Sequence, residues 1–102
     1  MILRDVAHIR TGDKGDISQI AVIAYSAADF ALLAEHVTAD RVAGHFADLP
    51  IRSIRRYELP ALGALNFVLE GALRGGVTRS LALDAHGKTL GAQLLDLIIE
   101  RD

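Results

Sequence analysis

Cysteine and tryptophan are both missing from this chain of 102 residues, which holds two prolines, one methionine, three Phe and two Tyr. Without cysteine there is no disulfide framework, no Cys-ligated zinc and no thiol nucleophile. An excess of one charge is missing too. Eleven Lys and Arg stand against thirteen Asp and Glu, a formal net charge of -2. A general nucleic-acid binder wants a basic surface, so no nucleic-acid partner is expected. No apolar run approaches the ~20 residues that span a bilayer. Residues 1–10 mix Arg4, Asp5, His8 and Arg10 among their apolar neighbours, unlike the apolar core of a signal peptide. The expectation is a cytoplasmic protein with no membrane contact.

Hydrophobic residues are plentiful, at 51% of the chain. That excludes intrinsic disorder, and the length suits one domain, 1–102. Residues 2–10 alternate apolar and polar, the period of a half-buried strand. The stretch 11–16 is rich in turn residues and predicts a loop. Residues 17–25, with Ile20 to Ala24 unbroken by a polar residue, predict a central strand. Together they suggest a wide antiparallel hairpin. Phe30, Leu33, Ala34 and Val37 form a helical stripe within 27–37. Thr38 reads as the N-cap of a second helix running to about Phe46, ended by Asp48-Leu49-Pro50. Residues 51–59 predict an edge strand, since Arg52, Arg55, Arg56 and Glu58 discourage stray pairing.

Pro60 suits the first turn of a helix, and 61–73 read as that helix. Only Asn66 and Glu70 interrupt its apolar surface. A helix apolar nearly all round is buried nearly all round, which one small sheet cannot achieve alone. The expectation is therefore a homo-oligomer, with Leu62, Leu65, Phe67, Val68 and Leu69 near the interface. Gly75-Gly76 breaks the chain before a strand at 77–84, and Ala85-His86-Gly87 turns into a short helix at 88–94. The last residues are ambiguous: Leu95, Leu97 and Ile99 alternate as in a strand, which favours a helical turn followed by a terminal strand, while Leu90, Leu94, Leu95 and Ile98 suit a helix equally well. The sum is an α+β fold, a ferredoxin-like sandwich: a mainly antiparallel sheet of four or five strands with helices on one face.

The densest polar cluster is Arg10-Thr11-Gly12-Asp13-Lys14-Gly15-Asp16. Gly12 and Gly15 allow backbone N–H groups to converge on an anion, and Lys14 adds charge. A plain hairpin loop with turn-capping aspartates explains the same residues. The spacing is not that of a P-loop, and Asp13 and Asp16 are too few to hold a metal. Arg79 shares a strand face with Val77, Leu81 and Leu83, so it needs a carboxylate or a ligand anion. Asn66 is a lone amide in an apolar segment, either a packing residue or a ligand contact. His8, His36, His45 and His86 lack metal-ligand spacing; His8 is placed to face the loop end of the hairpin. The four serines, Ser18, Ser26, Ser53 and Ser80, sit in no nucleophile-elbow context.

The segments RTGDKGD (10–16), RYELP (56–60), LNFVLEGAL (65–73) and 78–84 followed by HGKTLG resemble the small C-terminal domain of the acyclic terpene utilisation (AtuA-like) family. TADRVAGHF (38–46) is similar too, so the resemblance spans essentially the whole chain. It implies a ferredoxin-like domain that elsewhere follows a large α/β domain, or stands beside it as a separate chain. It also implies a link to bacterial catabolism of acyclic terpenes through acyl-CoA esters, without an assigned reaction or a cofactor. The large domain is absent from this chain.

Two functions follow. In one, the chain is an oligomerising assembly module that works with a separate large-domain protein and lends it the Lys14 loop. In the other, it is a small hydratase, lyase or isomerase on an acyl-CoA or short acid, with Asp13, Lys14 and Arg79 as acid/base group and anion anchors. A purely structural oligomer is a third reading.

Overall fold

The computed structural model describes residues 1–15, 17–47, 49, 51–71 and 88–99. Strand β1 (Ala7–Lys14) and strand β2 (Ile17–Ala24) form an antiparallel hairpin. Helices α1 (Phe30–His36) and α2 (Ala39–His45) follow. Strands β3 (Ser53–Leu59) and β4 (Ala64–Glu70) form a second hairpin, and helix α3 (Lys88–Leu94) comes last. The four strands lie in the order β1-β2-β4-β3, antiparallel throughout. The fold is α+β, as expected of a ferredoxin-like domain.

The local chemistry explains most elements. Ser26 Oγ accepts from the Ala28 N–H at 3.3 Å, opening a short 3-10 turn that leads into α1. Thr38 Oγ1 accepts from the Arg41 N–H at 3.2 Å and caps α2, satisfying one of its orphan donors. α1 contributes Leu33, and α2 contributes Val42, to a core completed by Ile20 and Val22 from β2 and by Leu65, Phe67 and Leu69 from β4. Leu94 of α3 joins the same core. All three described helices meet the same side of the sheet.

The chain ends are tied together. The Leu3 N–H donates to the Leu97 carbonyl at 2.8 Å, and the Ile99 N–H to the Met1 carbonyl at 2.9 Å. Ile2 and Ile98 form an isolated antiparallel bridge, and Arg4 pairs with Asp96. The last described residues thus follow a helix with an extended pairing segment, as the sequence suggests.

The segment expected as a helix over 61–73 is the main departure, over its described residues 61–71. Pro60 does open a helical turn, but only a 3-10 turn of three residues, Pro60–Leu62. Gly63 then takes φ 61°, a left-handed conformation that stops it. From Ala64 the chain is β4, an inner strand between β2 and β3. Its apolar side chains serve the chain's own core: Leu65, Phe67 and Leu69 are fully buried there. The premise of an all-round apolar helix needing a second chain is gone. Of the five residues placed at an interface, only Leu62, at 69% exposure, and half-buried Val68 reach the surface.

The second departure is at 11–14, which is strand rather than loop. Gly15 carries a positive φ, 62°, in the tight connection between Lys14 and Ile17, as the first central position of a primed hairpin turn requires. Several further expectations fall outside the described residues: Asp16, the helix-ending Asp48 and Pro50, the Gly75-Gly76 break, the strand at 77–84 with Arg79 and Ser80, and the turn at 85–87 with His86. Among the described residues, no helix is long and apolar enough to cross a membrane.

Candidate functional site

Antiparallel partners share a face, and faces alternate along a strand. One face of the sheet lies under the helices. The register assigns the other to His8, Arg10, Gly12 and Lys14 of β1, opposite Ile23, Ala21, Gln19 and Ile17 of β2. Ala64, Asn66, Val68 and Glu70 of β4 follow, and Leu59, Tyr57, Arg55 and Ser53 of β3 complete the rows. No described helix covers this face.

Arg10 and Asn66 therefore come together in one row, running Arg10, Ala21, Asn66, Tyr57 across the sheet. Small Ala21 between them leaves a shallow floor. Gly12 and Lys14 lie on the same face in the next two rows. Asp13 does not: it pairs with Ser18 and points to the helix side. Residues 11–14 are extended in the ladder with β2, where successive N–H groups point to opposite edges of the strand, so they do not gather into an anion nest. What the cluster offers an anion is side-chain charge. Arg10 and Lys14 are exposed, and so is Arg55, which sequence reading took only as an edge-strand charge.

His8 sits at the opposite end of this face from Lys14, in register with Ile23 rather than at the hairpin turn. Its ring stacks on Tyr25 with centroids 5.3 Å apart and 27° between planes. Exposed apolar groups gather at this end. Tyr25 is 65% exposed and Leu62 69%, with Leu59 in the same row as His8 and Ile23. The face is thus apolar and aromatic at one end and cationic towards the other.

The helix side holds two polar features of a different kind. Ser18 Oγ is fully buried opposite Leu69, with no hydrogen-bond partner among the described residues. Arg56 of β3 reaches under α1 and donates from Nη2 to the Ala34 carbonyl at 2.8 Å. It also lies 3.5 Å from the Glu58 carboxylate. A cation at the last turn of α1 satisfies an orphan carbonyl and complements the helix dipole. Its Nε is buried without a partner among the described residues, which offsets part of that gain. Arg56→Ala should lower stability by about 1–2 kcal/mol. Arg56→Met, which keeps the stem and removes the orphan donor, should cost less. Thermal melts of both variants check the order; a larger loss for Met than for Ala would contradict the packing argument.

Two open clefts lined by described residues flank the sheet. One, of about 390 Å³, lies between α2 and the start of β3, lined by Ala39, Ala43, Phe46, Ile51 and Ile54 among others. The other, of about 460 Å³, runs between β1 and the end of α3, along Ile9, Thr11, Ala92 and Leu95, with Arg10 at its margin. Neither brings together the charged residues singled out above. Among the described residues no three His, Asp or Glu converge as metal ligands.

No curated protein and no solved structure matches the chain. The family model of the AtuA ferredoxin-like domain matches residues 1–100, essentially the whole chain and every segment of the resemblance. With an antiparallel four-stranded sheet backed on one side by helices, the chain belongs to the AtuA ferredoxin-like domain family.

Proposed function

We propose that this domain is an assembly module that works with a separate large-domain protein in acyclic terpene or acyl-CoA catabolism. The observation that carries the reading is the sheet face that no described helix covers. It presents a broad surface from all four described strands, with cationic side chains at its margins and an apolar rim at one end. Such a surface suits contact with a macromolecule better than enclosure of a small substrate, which is typically buried in a concave site. Self-association belongs to the same proposal. The exposed rim of Tyr25, Leu59 and Leu62, rather than the buried face of β4, is what supports that part of it.

Co-expression with a large-domain protein encoded beside it, followed by light scattering, tests the reading. The expected result is a hetero-complex whose mass exceeds that of either chain's own assembly. A chain that stays a lone monomer with that protein present would overturn it. So would robust turnover of an acyl-CoA ester or short acid by the purified chain alone, which would promote an enzyme reading.

A further inference from the structure

Among the described residues, the helix-free face holds three cations, Arg10, Lys14 and Arg55, and one carboxylate, Glu70. That is a net +2 on one face of a chain whose formal charge is -2, leaving -4 for the remainder. All three cations are exposed, and none makes an ion pair among the described residues. With strands ~4.8 Å apart and a rise of ~3.4 Å per residue, their Cα atoms are about 13–16 Å from one another. Side chains standing off the sheet keep the three charges about as far apart as their Cα atoms, well beyond the contacts of about 2.7–2.9 Å that charge-assisted hydrogen bonds need, so an extended counterpart meets all three more readily than one phosphate-sized anion. Their spacing selects an extended counterpart carrying several negative charges.

We infer that this face docks an acidic protein surface, with Arg10, Lys14 and Arg55 as the contacts that orient it. The inference deepens the assembly reading and rests on it. Complementarity of charge is what selects this occupant. A second copy of the same face would bring like charges together. A single-stranded nucleic acid would stack its bases on aromatic rings, but the two inner strands present Ile17, Gln19, Ala21 and Ile23 from β2 and Ala64, Asn66, Val68 and Glu70 from β4. Tyr57 is confined to the outer strand β3. Small and aliphatic groups at the centre with cations at the margins match a protein interface, where charge is depleted from the core of the patch and kept at its rim.

The test uses the intact chain and a short poly-glutamate peptide, read by amide NMR shifts. Shifts should fall on β1 and β3 around Arg10, Lys14 and Arg55, and weaken with added salt. The variant Arg10→Glu/Lys14→Glu/Arg55→Glu should weaken binding at least about tenfold, since exposed charge contacts add a few-fold each. Its circular dichroism and melt should match those of the parent, because all three side chains are exposed; should the triple variant misfold, the three single reversals, each weakening binding, replace it. Shifts on the helix side, no shifts at all, or tighter binding of an oligouridylate than of the peptide would overturn the inference. Co-purification with the large-domain protein separates the two readings. A wild-type complex that survives the triple reversal defeats the docking face but not the assembly role. Peptide binding at the predicted face without any complex defeats the assembly role but not the chemistry of the face.

Discussion

Phe67→Ala should cost about 3–5 kcal/mol of folding free energy, the range for truncating a buried aromatic side chain. Phe67 is the largest fully buried side chain among the described residues and lies at the middle of an inner strand. It faces Ile20 on β2 and Arg56 on β3, under the helices. Few neighbours can collapse into the space, because strands on both sides fix the backbone. For a domain of this size, such a loss lowers Tm by on the order of 15–30 °C. Val68→Thr, one residue along on the helix-free face, should cost no more than about 1 kcal/mol. Denaturant titration of the two variants measures the contrast directly. Similar losses at 67 and 68 would contradict the alternation that makes β4 a strand with one buried face.

That alternation was present in the sequence and easy to misread. Leu65, Phe67 and Leu69 take one face; Asn66, Val68 and Glu70 take the other. Val68 is the apolar exception on the outer face, and with Leu62 and the leucine at 73 it completes a convincing helical stripe. A short run apolar on both sides satisfies the helical and the extended period alike. Pro60 strengthened the helical reading, because a 3-10 turn and an α-helix begin with the same preference. The deciding signal was Gly63, whose φ of 61° ends the turn and starts the strand. Glycine inside a helical pattern is tolerated often enough to hide that role.

The helices fared better because their signals were local. Thr38 before an apolar-periodic segment marks a cap by its own side chain, and the hydroxyl does accept from Arg41. The hairpin at 7–24 was legible in outline, but two glycines and two aspartates made 11–14 look like a loop. In the ladder, Gly12 needs no special conformation and simply pairs with Gln19. The cationic face was out of reach for a different reason. Arg10 and Arg55 are far apart in sequence and belong to opposite outer strands of the described sheet. Only the register through β2 and β4 puts them on one side, and with 61–73 read as a helix there was no β4 to carry that register.

Gly91→Val should be the most damaging single change outside the core strands, at about 3 kcal/mol, the upper end for overpacking. Gly91 is buried in α3 where that helix crosses β1. A Cβ there would stand 2.8 Å from Ile9 Cγ2 and closer still to Thr11 Cγ2. Both obstructing atoms belong to β-branched strand residues with restricted χ1, so neither swings away freely. Gly91→Ala separates sterics from propensity. Alanine in a helix gains about 1 kcal/mol over glycine, so a net loss must come from the clash. Pairing it with Thr11→Ser removes the nearest methyl, and the cost of Gly91→Ala should shrink by at least about 0.5 kcal/mol, the scale of coupling between touching residues. Strictly additive losses in urea titrations would mean that the helix does not approach β1 this closely. The contact also bears on the docking face. Ile9 and Thr11 flank Arg10, whose side chain lies on the opposite side of β1. Displacing β1 to make room for a Cβ would move Arg10 relative to Arg55, which is anchored through β3 and β4. Gly91→Ala should therefore weaken acidic-peptide binding although residue 91 lies on the helix side, and adding Thr11→Ser should recover part of the loss, the Ile9 methyl still standing against the new Cβ.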